Sequence, residues 1–118
     1  MEKKNIIQEK TFLFAVRIVN FCRYLVDIKK EYVLSKQILR SGTSIGANIE
    51  EAIGGQSKRD FIKKVSIAYK ESRETRYWLR LLKEANYIDD KIFNSVNKDC
   101  EEIIKIITSI QKTSKTKN

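Results

Sequence analysis

The sequence predicts an all-α protein: an antiparallel up-down-up-down four-helix bundle forming one domain over residues 1–118. Three observations carry that prediction. Four stretches repeat apolar residues at alternating spacings of three and four, the rhythm of a single buried stripe on a helix. The chain has no proline and only four glycines, so little interrupts those stretches from within. Turn-forming residues fall in the gaps between them, and no run alternates with period two for long enough to make a strand.

The first helix, about residues 6–29, carries Ile7, Thr11, Phe14, Ile18, Phe21, Leu25 and Ile28 on its seam. The second, about 33–54, carries Leu34, Ile38, Ser41, Ile45, Asn48 and Ala52. Gly54-Gly55 ends it, and Ser57 is placed to cap the third helix, with Asp60 as its acidic first-turn residue. That third helix, about 58–86, buries Phe61, Val65, Ala68, Ser72, Thr75, Leu79 and Leu82. Asn86 suits the left-handed position that closes it, and Asp89 is placed to cap the fourth. The fourth helix, about 90–113, shows Phe93, Val96, Cys100, Ile103, Ile107 and Ile110. The turn at 30–32 lacks Gly and Pro and is the least marked boundary. The basic tail 112–118 loses the apolar rhythm and is expected to fray.

Between Arg40 and Ala52 the rhythm continues, but small and polar residues occupy places where Leu or Ile is usual. Pairing the second and third helices about the 54–57 turn puts Ser41 level with Ser72, Ile38 with Thr75, and Asn48 with Val65. The expected polar layer comprises Ser41, Ser44, Asn48, Ser72 and Thr75, with Arg40, Glu71 and Glu74 as charged partners at its rim. Each buried hydroxyl needs a partner, since an unsatisfied one costs about 1–3 kcal/mol. Such a layer either sets helix register, as polar core residues do in coiled coils, or holds a small ligand. Gly42 and Gly46, one turn apart, allow another backbone to approach closely.

The run Ser44-Ile45-Gly46-Ala47-Asn48-Ile49-Glu50-Glu51-Ala52 resembles the signature of the bacterial four-helix-bundle proteins encoded in intervening sequences of 23S ribosomal RNA genes. Ser66-Ile67-Ala68, Lys70-Glu71-Ser72, Glu74-Thr75, Tyr77-Trp78-Leu79 and Asn86-Tyr87-Ile88 extend the match along the chain. Many relatives carry Pro where Gly46 stands and Gly where Asn86 stands. The resemblance implies a left-handed bundle that assembles as a ring-like homopentamer. It also implies a distant likeness to the accessory protein of diversity-generating retroelements, a basic pentamer that binds nucleic acid and a reverse transcriptase.

Charge points to an anionic partner. Twenty-four Lys+Arg against 15 Asp+Glu give a net charge of +9, and the excess lies on the first and third helices. Arg59, Lys63, Lys70, Arg73 and Arg80 recur along the third at spacings of four, seven, three and seven. Lys63 sits about 200° around the helix from Phe61, so this row points away from the core. Lys3, Lys10 and Arg17 repeat every seven residues on the first helix. These rows suit contact with the phosphates of RNA or DNA. The competing reading is a solvated face, offset by pairs such as Lys70–Glu74 and Arg80–Glu84. No helix-turn-helix, zinc-finger or RNA-recognition pattern is present, so sequence-specific readout is not expected.

Catalysis is not expected either. The chain has no histidine, no phosphate-cradling glycine loop and no metal-ligand spacing, so neither cofactor nor metal is implied. Cys22 and Cys100 read as buried reduced thiols of a cytoplasmic protein, and no segment reads as a signal peptide or a membrane span. A second apolar stripe on the first helix, Phe12, Val16, Val19 and Val26, argues for a homo-oligomer, the competing reading being a wide core in a monomer. Ile62, Tyr69, Trp78, Leu81, Ile104 and Ile106 also lie off the strict seams. The sequence therefore predicts a non-catalytic, basic, homo-oligomeric bundle that binds RNA or DNA through phosphate contacts. The alternative is an assembly adaptor that docks a protein partner.

Overall fold

The computed structural model describes residues 5–116 and forms four helices: α1 (Ile6–Asp27), α2 (Leu34–Ile53), α3 (Lys58–Glu84) and α4 (Asp90–Thr116). Lys3, one of the expected basic row, lies outside the described residues. Local chemistry accounts for most ends. Asn5 caps α1 by accepting from the Gln8 N–H at 3.1 Å. Ser57 caps α3 through the Asp60 N–H at 3.1 Å, and Asp89 caps α4 through the Ile92 N–H at 2.8 Å. Asn86 takes φ 68°. There the Tyr87 N–H donates to the Leu82 carbonyl and the Asn86 N–H to that of Lys83, the Schellman arrangement that stops a helix.

The helix ends depart from expectation in two places. Helix α1 ends at Asp27, and Ile28, expected on its seam, is 65% exposed. The turn after it is made without glycine. Lys30 adopts φ 56°, and the Glu31 N–H donates to the Leu25 carbonyl at 2.9 Å. Buried Glu31 then does the work of a cap for α2, because Val33 at the cap position has no oxygen to offer. Its carboxylate accepts from the N–H groups of Val33, Leu34 and Ser35, and the Ser35 hydroxyl donates back to its carbonyl at 2.9 Å. At the far end, α4 continues through residues 112–116, which were expected to fray.

The helices pack in sequence order, α1 on α2, α2 on α3 and α3 on α4, with α4 returning to α1. Neighbours are antiparallel, since partners rise along one helix as they fall along the next. Gln8 meets Glu50 while Cys22 meets Ser35, and Lys64 meets Glu51 while Thr75 meets Ser41. Ile18, Leu25, Ile38, Ile45, Leu79, Leu82, Ile103 and Ile107 fill the core with almost no exposure. The seam between α1 and α4 is the loosest, and a hollow of about 160 Å³ opens there between Phe14 and Ile103.

Two glycines of α2 bring α1 close to it. A Cβ added to Gly42 would stand 2.9 Å from the Cγ atoms of Ile18, and one added to Gly46 would stand 3.1 Å from the Thr11 carbonyl oxygen. Ile18 is β-branched and fully buried, so it has no other rotamer to move into. Gly42→Ala therefore lowers stability by about 1–3 kcal/mol, although alanine is the better helix former by about 1 kcal/mol. Gly54→Ala is the control, because its Cβ meets nothing nearer than 3.6 Å. Thermal melts of the two variants beside the parent protein check the difference.

Candidate nucleic-acid interface

The polar layer forms, but one turn away from the expected register. Thr75 rather than Ser72 faces Ser41: the Thr75 hydroxyl lies 2.9 Å from that of Ser41 and 2.8 Å from the Glu71 carbonyl. Ser72 turns toward α4, donating to the Tyr69 carbonyl at 2.7 Å while its own carbonyl accepts from the Cys100 thiol at 3.4 Å. The physical reason lies in the turn. Gly54 and Gly55 still donate to the Glu50 and Ala52 carbonyls, so the chain reverses later than mid-loop and α3 slides along α2. Ser41, Ser72 and Thr75 are fully buried. Ser44 and Asn48 are half-buried and bond back within α2, to the carbonyls of Arg40 and Ser44.

The charged rim comes together as expected. Arg40 spans α2 to α3, with one guanidinium nitrogen 3.1 Å from Glu71 Oε1 and another on Glu74 Oε2. The Trp78 indole N–H also donates to Glu74, at 2.9 Å. That indole bond, then the Arg40 pair, hold the Glu74 carboxyl below the usual carboxylate range, and Glu74 in turn pushes Arg40 up. A depressed carboxylate contributes stability that is complete above its unfolded pKa and is lost as pH falls through the lower folded value.

The basic rows part company. On α3 the cations flanking the packed stripe are matched by neighbouring helices: Lys64 with Glu51, Arg76 with Glu101, Lys83 with Asp90. Arg59, Lys63, Lys70, Arg73 and Arg80 are exposed along the outer face, over roughly 32 Å of helix. None of these five forms an ion pair among the described residues; Arg73 is held over the Tyr69 ring at 5.7 Å. The intrahelical pairs Lys70–Glu74 and Arg80–Glu84 do not form; Glu74 is held instead by Arg40 and Trp78. Lys10 and Arg17 behave differently. They bridge the loose α1–α4 seam, Lys10 to Glu102 at 3.3 Å and Arg17 to Asp99 at 2.6 Å, so they are matched by carboxylates and stand apart from the α3 row.

Sequence reasoning passed over Tyr77, which is 55% exposed within the α3 row. Its spacing of four from Arg73 and three from Arg80 was the available signal. Leu13 was also missed: it joins Phe12, Val16 and Val19 in an outward apolar stripe of 37–64% exposure, while Val26 is half-buried. Of the off-seam apolar residues, Ile104 is buried, and Ile62, Tyr69, Trp78, Leu81 and Ile106 are half-buried. The two thiols are free and buried, and burial foremost pushes each up to about 12, so they stay protonated at neutral pH.

The layer yields a sharp test. Thr75→Val leaves the Ser41 hydroxyl with only a 3.5 Å contact to the Ile38 carbonyl and costs about 1–2 kcal/mol. Ser41→Ala combined with Thr75→Val removes both partners and restores much of that loss. Denaturant titration of the two single variants and the double closes the cycle.

Comparison with known proteins agrees with this architecture. No described helix is long and apolar enough to cross a membrane. No curated protein matches the chain. A crystal structure of a protein of unknown function, from the S23 ribosomal protein family of Bacteroides thetaiotaomicron, is 55% identical with a TM-score of 0.90. The match covers 92% of this chain and 96% of that one. Residues 3–109 match the family described as 23S rRNA-intervening sequence protein, and the chain belongs to that family.

Proposed function

We propose that this protein is a non-catalytic, self-associating cytoplasmic bundle that holds RNA or DNA by its phosphates along the outer face of α3. The observation that carries the reading is the row Arg59, Lys63, Lys70, Arg73 and Arg80, exposed and unmatched by carboxylates among the described residues. Positive charge left unneutralised on a straight helix attracts a polyanion and releases its counterions on contact. Lys10 and Arg17 contribute less, since phosphate must displace Glu102 and Asp99 from them.

Self-association is supported by Phe12, Leu13, Val16 and Val19, an apolar stripe turned to solvent. On the resemblance to the family, the assembly proposed is a ring of five. Repeating the α3 row around such a ring multiplies weak contacts through avidity. The same stripe is the one observation favouring the second reading, an adaptor that docks a protein partner.

Two measurements test these statements. Reversing Lys63, Lys70 and Arg73 to Glu abolishes retention of RNA at low salt while leaving the helical content intact. In milder single-alanine variants the slope of log K against log salt falls by roughly 0.7–0.9 per cation removed. Native mass spectrometry of the parent protein gives a multiple of the 13.8 kDa subunit, and Val16→Glu reduces it to the monomer. A parent protein that is monomeric at all concentrations assigns the stripe to a different protein instead.

A further inference from the structure

We infer that Tyr77 is a base-stacking platform and that the ligand of the α3 face is single-stranded rather than duplex nucleic acid. The inference rests on the phosphate-contact reading and names the class of polymer it takes. Tyr77 lies on the exposed face of α3 with Arg73 four residues before it and Arg80 three after, so one open ring falls within the row of cations. Beside the ring is a shallow hollow of about 140 Å³ formed with Arg80, Leu81 and Glu84.

The ring is backed by fixed groups. Tyr77 meets Trp78 edge-on, with centroids 5.1 Å apart and planes at 70°. Trp78 is itself held by its indole bond to Glu74, and Glu74 is held by Arg40 from the neighbouring helix. Arg73 is steadied as well, over the Tyr69 ring and 3.1 Å from its hydroxyl. An aromatic face with little freedom to lose, set among cations that track a phosphate chain, is the arrangement that binds single strands without sequence preference. A duplex keeps its bases stacked on one another and has none to give the ring. Glu84, the carboxylate in the hollow, repels phosphate and accepts from an exocyclic amine, so it belongs on the base side of such a strand.

Trp78 is the chain's single tryptophan and reports on the site directly. The test measures binding of oligoadenylate, and of the oligoadenylate–oligouridylate duplex of the same length, by Trp78 emission and by anisotropy of the labelled strand. The parent protein and Tyr77→Phe bind the single strand more tightly than the duplex and change Trp78 emission on doing so. Tyr77→Ala weakens the single strand about tenfold and leaves the duplex unchanged. Equal affinity for both polymers, or a single-strand affinity indifferent to Tyr77→Ala, overturns the inference while the phosphate-contact reading stands. Displacement of oligoadenylate by polyglutamate at equal charge concentration overturns it in favour of an acidic protein ligand. Failure to bind either polymer at low salt removes the phosphate-contact reading and this inference with it.

Discussion

Packing α3 between α2 and α4 divides its charges into two sets. A helix in this position must bury one stripe and lay two flanks against its neighbours, and on those flanks a lone cation would be partly desolvated. Glu51, Glu101 and Asp90 meet Lys64, Arg76 and Lys83 there. The carboxylates of α3 that could have balanced its outer row, Glu71 and Glu74, are drawn inward to Arg40. What remains outside is a row of cations that forms no ion pair among the described residues. Part of the net charge of +9 is thus concentrated along α3.

The same clamp links the interior to that surface. Thr75 and Ser41 join α3 to α2 inside the core, and Arg40, Glu71 and Glu74 repeat the junction at its rim. Trp78 takes its orientation from Glu74, and Tyr77 leans on Trp78. Polar groups placed in a helix seam contribute little net stability when satisfied, but they discriminate strongly between axial registers. Here the register they select also sets the aromatic edge of the exposed face.

Apolar and basic surfaces are kept on different helices. The outward stripe of Phe12, Leu13, Val16 and Val19 is on α1, whereas the unmatched cations are on α3, and those two helices are not packed neighbours. Within one subunit, covering the α1 stripe does not itself cover the α3 row, so the proposed self-association and the proposed polyanion contact draw on different residues.

Helix positions, most caps and the buried seams were legible in the residues, because a period of 3.6 and an N-cap hydroxyl are local properties. Ser57, Asn86 and Asp89 do what their types suggest. The outward row on α3 was equally legible, since it follows from the angle each residue makes with its own helix's buried stripe. Tertiary structure decided what depends on a second helix. It set Thr75 rather than Ser72 against Ser41, because the chain reverses late in the 54–57 turn. It matched Lys10 and Arg17 to Glu102 and Asp99 across the α1–α4 seam, and it turned Glu31 into a cap for α2. Periodicity places a side chain around its own axis, but its partner depends on how far one helix slides along the next, and that offset comes from the packing of the whole core.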